Sequence, residues 1–245
     1  MPPAENPLEH SHTPEAIARR LENGPSVSYL RDWVYGGIDG AVTTFAIVAG
    51  SIGANLSPAI VLVLGVANLL ADGFSMAAAN YTGTKSELED FRRLHRIEEK
   101  HVRVDPAGER EEIRQIFLAK GIDGADLDHI VRILTSRPAV WIDTMMREEY
   151  GLAAAVRSPM RAALATFAAF VLCGSLPLLP FVLQLPATGT ATTVLTGSAF
   201  FLIGSIKARW STRHWFASGV ETTAIGLAAA GIAYFCGHIL QGLFA

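Results

Sequence analysis

Residues 59–82 read AIVLVLGVANLLADGFSMAAANYT, and this stretch decides the fold. It is long enough to cross a hydrocarbon core, which takes about 20 residues of α-helix. It is not uniformly apolar. Asn68, Asp72, Ser75, Met76 and Asn80 recur every three or four residues, so on a helix they form one polar stripe. A polar group inside a membrane has to be satisfied by protein, by water in a cavity or by an ion. Hydrogen bonding between helices is the plainer use of such a stripe; ion passage is the sharper one. Oxygen donors suit Mg, Ca and Mn, and the Met76 thioether tilts the set toward softer first-row ions such as Fe(II).

Four further segments have the length of a span: 34–55, 160–184, 188–206 and 216–241. Ser57-Pro58 separates the first two spans and Pro186 separates the third and fourth, so each pair is a helical hairpin. A soluble domain usually holds about 25% charged residues, and this chain holds 18%. The charges concentrate in residues 1–32 and 83–161. The expected fold is therefore all-α: an integral membrane protein with five transmembrane helices and a helical cytoplasmic domain between helices two and three. Its parts are an N-terminal arm (1–32), helices one and two (33–82), the insertion (83–157) and helices three to five (158–245). A formal net charge of −3 argues against nucleic acid as a partner. Cys173 and Cys236 lie in apolar runs and are expected to be reduced, buried thiols.

Lys and Arg set the orientation. Lys207, Arg209 and Arg213 occupy the loop 207–214, and many more lie in 83–161, whereas loops 56–58 and 185–187 have none. This predicts a cytoplasmic N-terminus and insertion, with the C-terminus on the far side. The first 30 residues contain no basic stretch followed by an apolar core. The first span is thus expected to be its own insertion signal, and a bacterial inner membrane is the expected location. Residues 13–22 read as an amphipathic helix capped by Thr13 and stopped by Asn23-Gly24-Pro25, able to lie on membrane lipid or to fray. His10 and His12 in this arm are expected to be exposed.

The insertion is punctuated as helices. Helix two is expected to run on to about His101. Asp105-Pro106 opens a helix ending at Lys120-Gly121, Asp123 opens another ending near Ser136, and Pro138 opens the last. Glu98 and His101 are three apart, as are Glu109 and Glu112; Met145 and Glu149 are four apart, with Met146 adjacent. Each pair shares a helix face. Exposed carboxylate pairs are usually solvated, and methionine is more often core filler. In the first span, Asp39 is a candidate cation or proton site, or else a helix-end acid near the membrane interface about seven residues past Arg31-Asp32, with Thr43 and Thr44 one turn on. A threonine bonded back to its own helix is the commoner arrangement. Glu221 is expected to pair with Arg209 or Arg213, or to serve transport.

Several motifs in order carry a resemblance. They are Tyr35-Gly-Gly-Ile-Asp-Gly-Ala-Val-Thr-Thr-Phe-Ala, Ala67-Asn-Leu-Leu-Ala-Asp-Gly-Phe-Ser-Met with Lys85-Ser-Glu, and Met145-Met146-Arg-Glu-Glu-Tyr-Gly-Leu. Ser158-Pro159, Pro177-Leu-Leu-Pro180 and Trp215-Phe-Ala-Ser-Gly complete the set. Over about residues 28–241 the chain resembles the vacuolar iron transporter family. The resemblance implies a homodimer that exports Fe(II) and Mn(II), with Zn(II) or Co(II) as further candidates, in exchange for protons. It implies no enzyme activity and no resident cofactor. It also implies a translocation path near the dimer axis that includes Asp39 and Met76, with Thr43, Asn68 and Asp72 as further candidates. The insertion becomes a metal-binding domain with Glu98, Glu109, Glu112, Met145, Met146 and Glu149 as ligands. A rival reading is a membrane-anchored ferritin-like di-iron protein, in which Glu98-x-x-His101 is joined by Asp126-x-x-His129. A non-transporting membrane receptor and a passive cation channel are further rivals.

Two positions depart from the family pattern. His101 stands where a glutamate is usual, and Asn68 stands where some eukaryotic members have glutamate. A neutral imidazole leaves less negative charge to hold a cation. His101→Glu is accordingly expected to raise the affinity or number of Mn(II) ions bound by the full-length protein, read by isothermal calorimetry; unchanged affinity and stoichiometry would remove His101 from the site.

Overall fold

The computed structural model describes residues 11–22, 27–152 and 157–244. Their regular structure is helical throughout, with no strand among the described residues. The helices are α1 (Pro14–Glu22), α2 (Leu30–Gly53), α3 (Pro58–Val104), α4 (Pro106–Ala119), α5 (Gly124–Thr135), α6 (Pro138–Glu148), α7 (Pro159–Gly174), α8 (Leu179–Val182), α9 (Thr188–Lys207) and α10 (Trp215–Phe244). Five segments are long and apolar enough to cross a membrane: α2, α3, Pro159–Val182, Thr188–Trp210 and α10.

Local chemistry explains the boundaries. Thr13 Oγ1 accepts the Ala16 N–H at 3.3 Å and Asp105 Oδ1 accepts the Gly108 N–H at 3.0 Å, each satisfying a donor that a helix start leaves free. Gly121, at φ +85°, closes α4 in a conformation a side chain would resist. The expected stop at residues 23–25 and the arm's His10 lie outside the described residues; His12 is exposed.

The third span differs from an uninterrupted helix over 160–184. It breaks after Gly174 into a 3₁₀ turn, Leu176–Leu178, and the short α8. Pro177 and Pro180 have no N–H to donate, and their rings clash with the preceding turn. Thr192 Oγ1 donates to the Pro177 carbonyl at 3.3 Å, supplying a partner at the break. Neither cysteine forms a disulfide, and Cys236 is exposed rather than buried, because α10 turns that face away from the bundle.

The chain divides into two compact units, Met1–Ser28 with Ser86–Arg157, and Tyr29–Lys85 with Ser158–Ala245. In the second unit α2 packs closely on α7 and on α10. A Cβ on Gly40 would lie 2.4 Å from the Phe170 carbonyl oxygen, and one on Gly237 would lie 2.1 Å from that of Gly50. Hydrogen at these positions lets the backbones touch, which is how membrane helices gain packing without a hydrophobic driving force. The inner part of α3 contributes a narrower seam. Val61, Gly65, Leu69, Gly73 and Ala77, four apart, are buried, and Val61 and Leu69 pack with Val48, Phe170 and Leu178. Its opposite face, with Val63, Leu70 and Phe74, is open. In the first unit α4, α5 and α6 bury Ile113, Leu127, Val131, Trp141 and Met145 together.

Gly40→Ala should force α2 away from α7 and cost about 1–3 kcal/mol, the usual penalty of overpacking. Gly197→Ala, whose Cβ would meet nothing within 4 Å, should be neutral or stabilising. Thermal unfolding in detergent checks the pair; equal melting temperatures for both variants would contradict this account of the α2–α7 contact.

Candidate metal centre and membrane carboxylates

In the first unit, Glu98 on α3 and Glu109 on α4 are 1% and 4% exposed, although both are charged residue types. His101, one turn beyond Glu98, is half-exposed beside them. Its Nδ1 lies 3.3 Å from Glu109 Oε1 and 3.9 Å from Glu98 Oε1. One ligand atom from each of the three residues falls within 4.8 Å of the others. Tyr150 donates its hydroxyl to Glu98 Oε1 at 2.9 Å, which fixes that carboxylate's orientation. The second oxygens, Glu98 Oε2 and Glu109 Oε2, are buried without a hydrogen-bond partner. A buried oxygen of this kind normally costs about 1–3 kcal/mol.

The electrostatics follow from this crowding. Glu109 is pushed up to about 7, first by burial and then by the charges of Glu112, Glu98 and Glu149. Burial raises Glu149 as well, opposed by the hydrogen bond with Tyr150. Burial and donation to Glu98 push the Tyr150 phenol up, so it stays a donor. Two carboxyl groups this close hold a proton between them or need a cation in its place.

The other expected ligands surround this core at different depths. Glu112 and Glu149 are exposed, yet both lie within electrostatic reach of Glu109. Met145 and Met146 are fully buried, and Met145 packs with Ile113 and Trp141. Asp126 and His129 are not gathered with Glu98 and His101. Both are exposed, and His129 Nδ1 meets the Arg132 guanidinium at 2.7 Å. The second half of a di-iron pair is therefore missing from this cluster.

In the second unit the polar stripe of α3 runs beside its buried seam. Asn68, Asp72, Met76 and Asn80 are all half-buried, whereas Ser75 turns outward. Asn68 Nδ2 donates to Thr43 Oγ1 at 3.3 Å and to Thr44 Oγ1 at 3.5 Å. Thr43 in turn donates to the Asp39 carbonyl at 2.9 Å, the back-bonded arrangement. Asp39 lies within electrostatic reach of Asp72, so two carboxylates from neighbouring spans share one region. Met76 packs against the apolar cluster around Leu69 and Phe170. Glu221 pairs with Arg213.

Sequence reading missed Asp32 and Tyr150. Asp32, in the first turn of α2, is 4% exposed and accepts from Asn80 Nδ2 at 2.9 Å, while the same amide group meets Thr166 Oγ1 at 2.7 Å. The signal for Asp32 was Asn80, a polar amide within the apolar part of α3 and in need of a partner. Tyr150 adjoins Glu149 in a charged run, and nothing in its spacing points to Glu98.

The chain matches the model of the VIT family over residues 30–238. It is 34% identical to vacuolar iron transporter 1 of Arabidopsis thaliana over 217 residues, covering 86% of each chain. It is 32% identical to vacuolar iron transporter 1 of Oryza sativa subsp. japonica over 235 residues, covering 95% of this chain and 91% of that one. A vacuolar iron transporter of Toxoplasma gondii is 32% identical over 228 residues, covering 88% and 76%. Similarity that runs through nearly all of both chains, and takes in the spans together with the helices that carry the carboxylate cluster, makes this chain a member of the VIT family, which consists of transporters and not of enzymes.

Proposed function

We propose that this protein exports Fe(II) and Mn(II) from the cytoplasm in exchange for protons, as a homodimer with residues 83–157 forming a cytoplasmic metal-binding domain. The observation that carries the reading is the pair of buried, unpartnered carboxylate oxygens of Glu98 and Glu109 beside His101. Carboxylate and imidazole together suit first-row divalent ions. The iron-transporter names of relatives that align along nearly the whole chain support metal as cargo.

In this reading Glu98, Glu109 and His101 form the inner ligand set, and Glu112 and Glu149 complete it from the surface. Met145 and Met146, buried in the same unit, are the thioether candidates. Tyr150 keeps one Glu98 oxygen occupied and leaves the other for the ion. In the membrane, Asp39 and Asp72 exchange a cation for protons, with Thr43, Asn68 and Met76 along the same route. Like charges in a region of low dielectric oppose joint ionisation, so either a divalent ion or a proton relieves them. The N-terminus faces the cytoplasm and the C-terminus the far side.

The sign of the pH dependence follows from Glu109. Its carboxyl keeps a proton up to about 7, so a metal ion binding below that pH must displace the proton. Mn(II) affinity of the full-length protein should fall about tenfold per pH unit below 7 and level off above it. Glu109→Gln should bind weakly at every pH and lose this slope. Calorimetry in two buffers of different ionisation heat reads both the affinity and the proton released; wild-type affinity that is flat between pH 5.5 and 8 would contradict the assignment.

Asp39→Asn keeps size and hydrogen bonding but cannot cycle between charged and neutral forms. In proteoliposomes with an imposed pH gradient, this variant should bind Mn(II) as the wild type does and lose at least tenfold in Fe(II) flux. A monodisperse variant transporting at the wild-type rate would remove Asp39 from the cycle.

A further inference from the structure

Two hairpins bring the start of α2 and the end of α9 to the same face of the helical bundle. There a pocket of about 360 Å³ opens between them. Two cations far apart in the sequence, Arg31 and Lys207, line it together. Among the described residues neither makes an ion pair, whereas Arg213 in the same loop is neutralised by Glu221. Like charges that converge on one cavity without an acidic partner favour an anion between them.

The walls add further recognition. The Arg31 guanidinium lies over the Tyr35 ring, 5.3 Å from its centroid, which orders the cation before any ligand arrives. Ser211 Oγ accepts the Arg213 backbone N–H at 3.2 Å, and its hydroxyl hydrogen is free to donate. Tyr35 and Trp210 are 54% and 62% exposed, amphipathic rings at the ends of apolar spans, where headgroups meet hydrocarbon. Leu30 and Val34 make the remaining wall apolar.

We propose that this pocket binds the headgroup of an anionic phospholipid. The phosphate sits between Arg31 and Lys207 with the Ser211 hydroxyl donating to it, and the glycerol shoulder lies on Leu30, Val34 and the two rings. Inorganic phosphate would satisfy the cations but leave the apolar wall unused, which is why a lipid is the occupant. The inference does not depend on what the protein transports.

Full-length protein in a neutral detergent is titrated with phosphatidylglycerol or phosphatidylcholine, and bound lipid per chain is counted by native mass spectrometry. Phosphatidylglycerol should bind at one site per chain at least tenfold more tightly than phosphatidylcholine. Lys207→Ala and Arg31→Ala should each erase most of that preference, while Arg31→Lys keeps part of it. Arg209→Ala removes the same charge from the same loop but outside the pocket, and should change binding less than twofold. Lys207 sits at the end of α9, so its variant keeps the test open if Arg31→Ala fails to fold. An absence of preference for the anionic lipid, or an equal loss in Arg209→Ala, would overturn the site. Displacement by millimolar inorganic phosphate would make it a free-anion site and overturn the lipid assignment.

Discussion

A carboxylate held away from water has to be answered by a proton, a cation or several hydrogen bonds, and both units of this protein are organised around that demand. Asp32 is answered within the fold by Asn80. Glu98 is half answered, through one oxygen and the Tyr150 hydroxyl. Glu109 is half answered too, with His101 Nδ1 3.3 Å from one oxygen and no partner on the other. On the proposed reading, the difference between full and partial satisfaction separates structure from function. Asn80 and Thr166 around Asp32 leave an acid with a structural role, and the buried oxygens of Glu98 and Glu109 leave an acceptor pair that a divalent ion would complete.

The packing of the spans complements this division. α2 is held by backbone contact at both ends, through Gly36 and Gly40 against α7 and through Gly50 and Gly53 against α10. Such contacts are stiff, because no side chain can rearrange to absorb a shift. The inner part of α3 touches its neighbours along one seam only and leaves its other face open. Its polar stripe therefore sits beside a firmly held Asp39 on a helix that is itself less enclosed.

Much of the fold was legible because punctuation and length act locally. Asp105-Pro106, Gly121, Asp123 and Pro138 bound the insertion helices where their backbone chemistry requires, and the span lengths follow from hydropathy alone. The break in the third span was readable in principle from Pro177 and Pro180, but its length and apolarity masked it. The candidate site was legible only as pairs. Spacing makes Glu109 and Glu112 equivalent, yet α4 buries the first and exposes the second, a choice made by packing around Ile113. Spacing gives no reason for Tyr150 to reach Glu98 from the far end of the insertion. The exposure of Cys236 was missed for a related reason: an apolar run in a membrane helix does not say which face meets the bundle and which meets lipid.

On the proposed reading, Glu98, Glu109 and His101 jointly hold a divalent ion. Anomalous scattering at the manganese edge, from crystals of the full-length protein grown at pH 8 with Mn(II), tests it most directly. A peak is expected at a coordination distance of about 2.0–2.3 Å from a carboxylate oxygen of Glu98 and one of Glu109, with the His101 ring turned toward it. Crystals that carry Mn(II) elsewhere and none between Glu98 and Glu109 would contradict it.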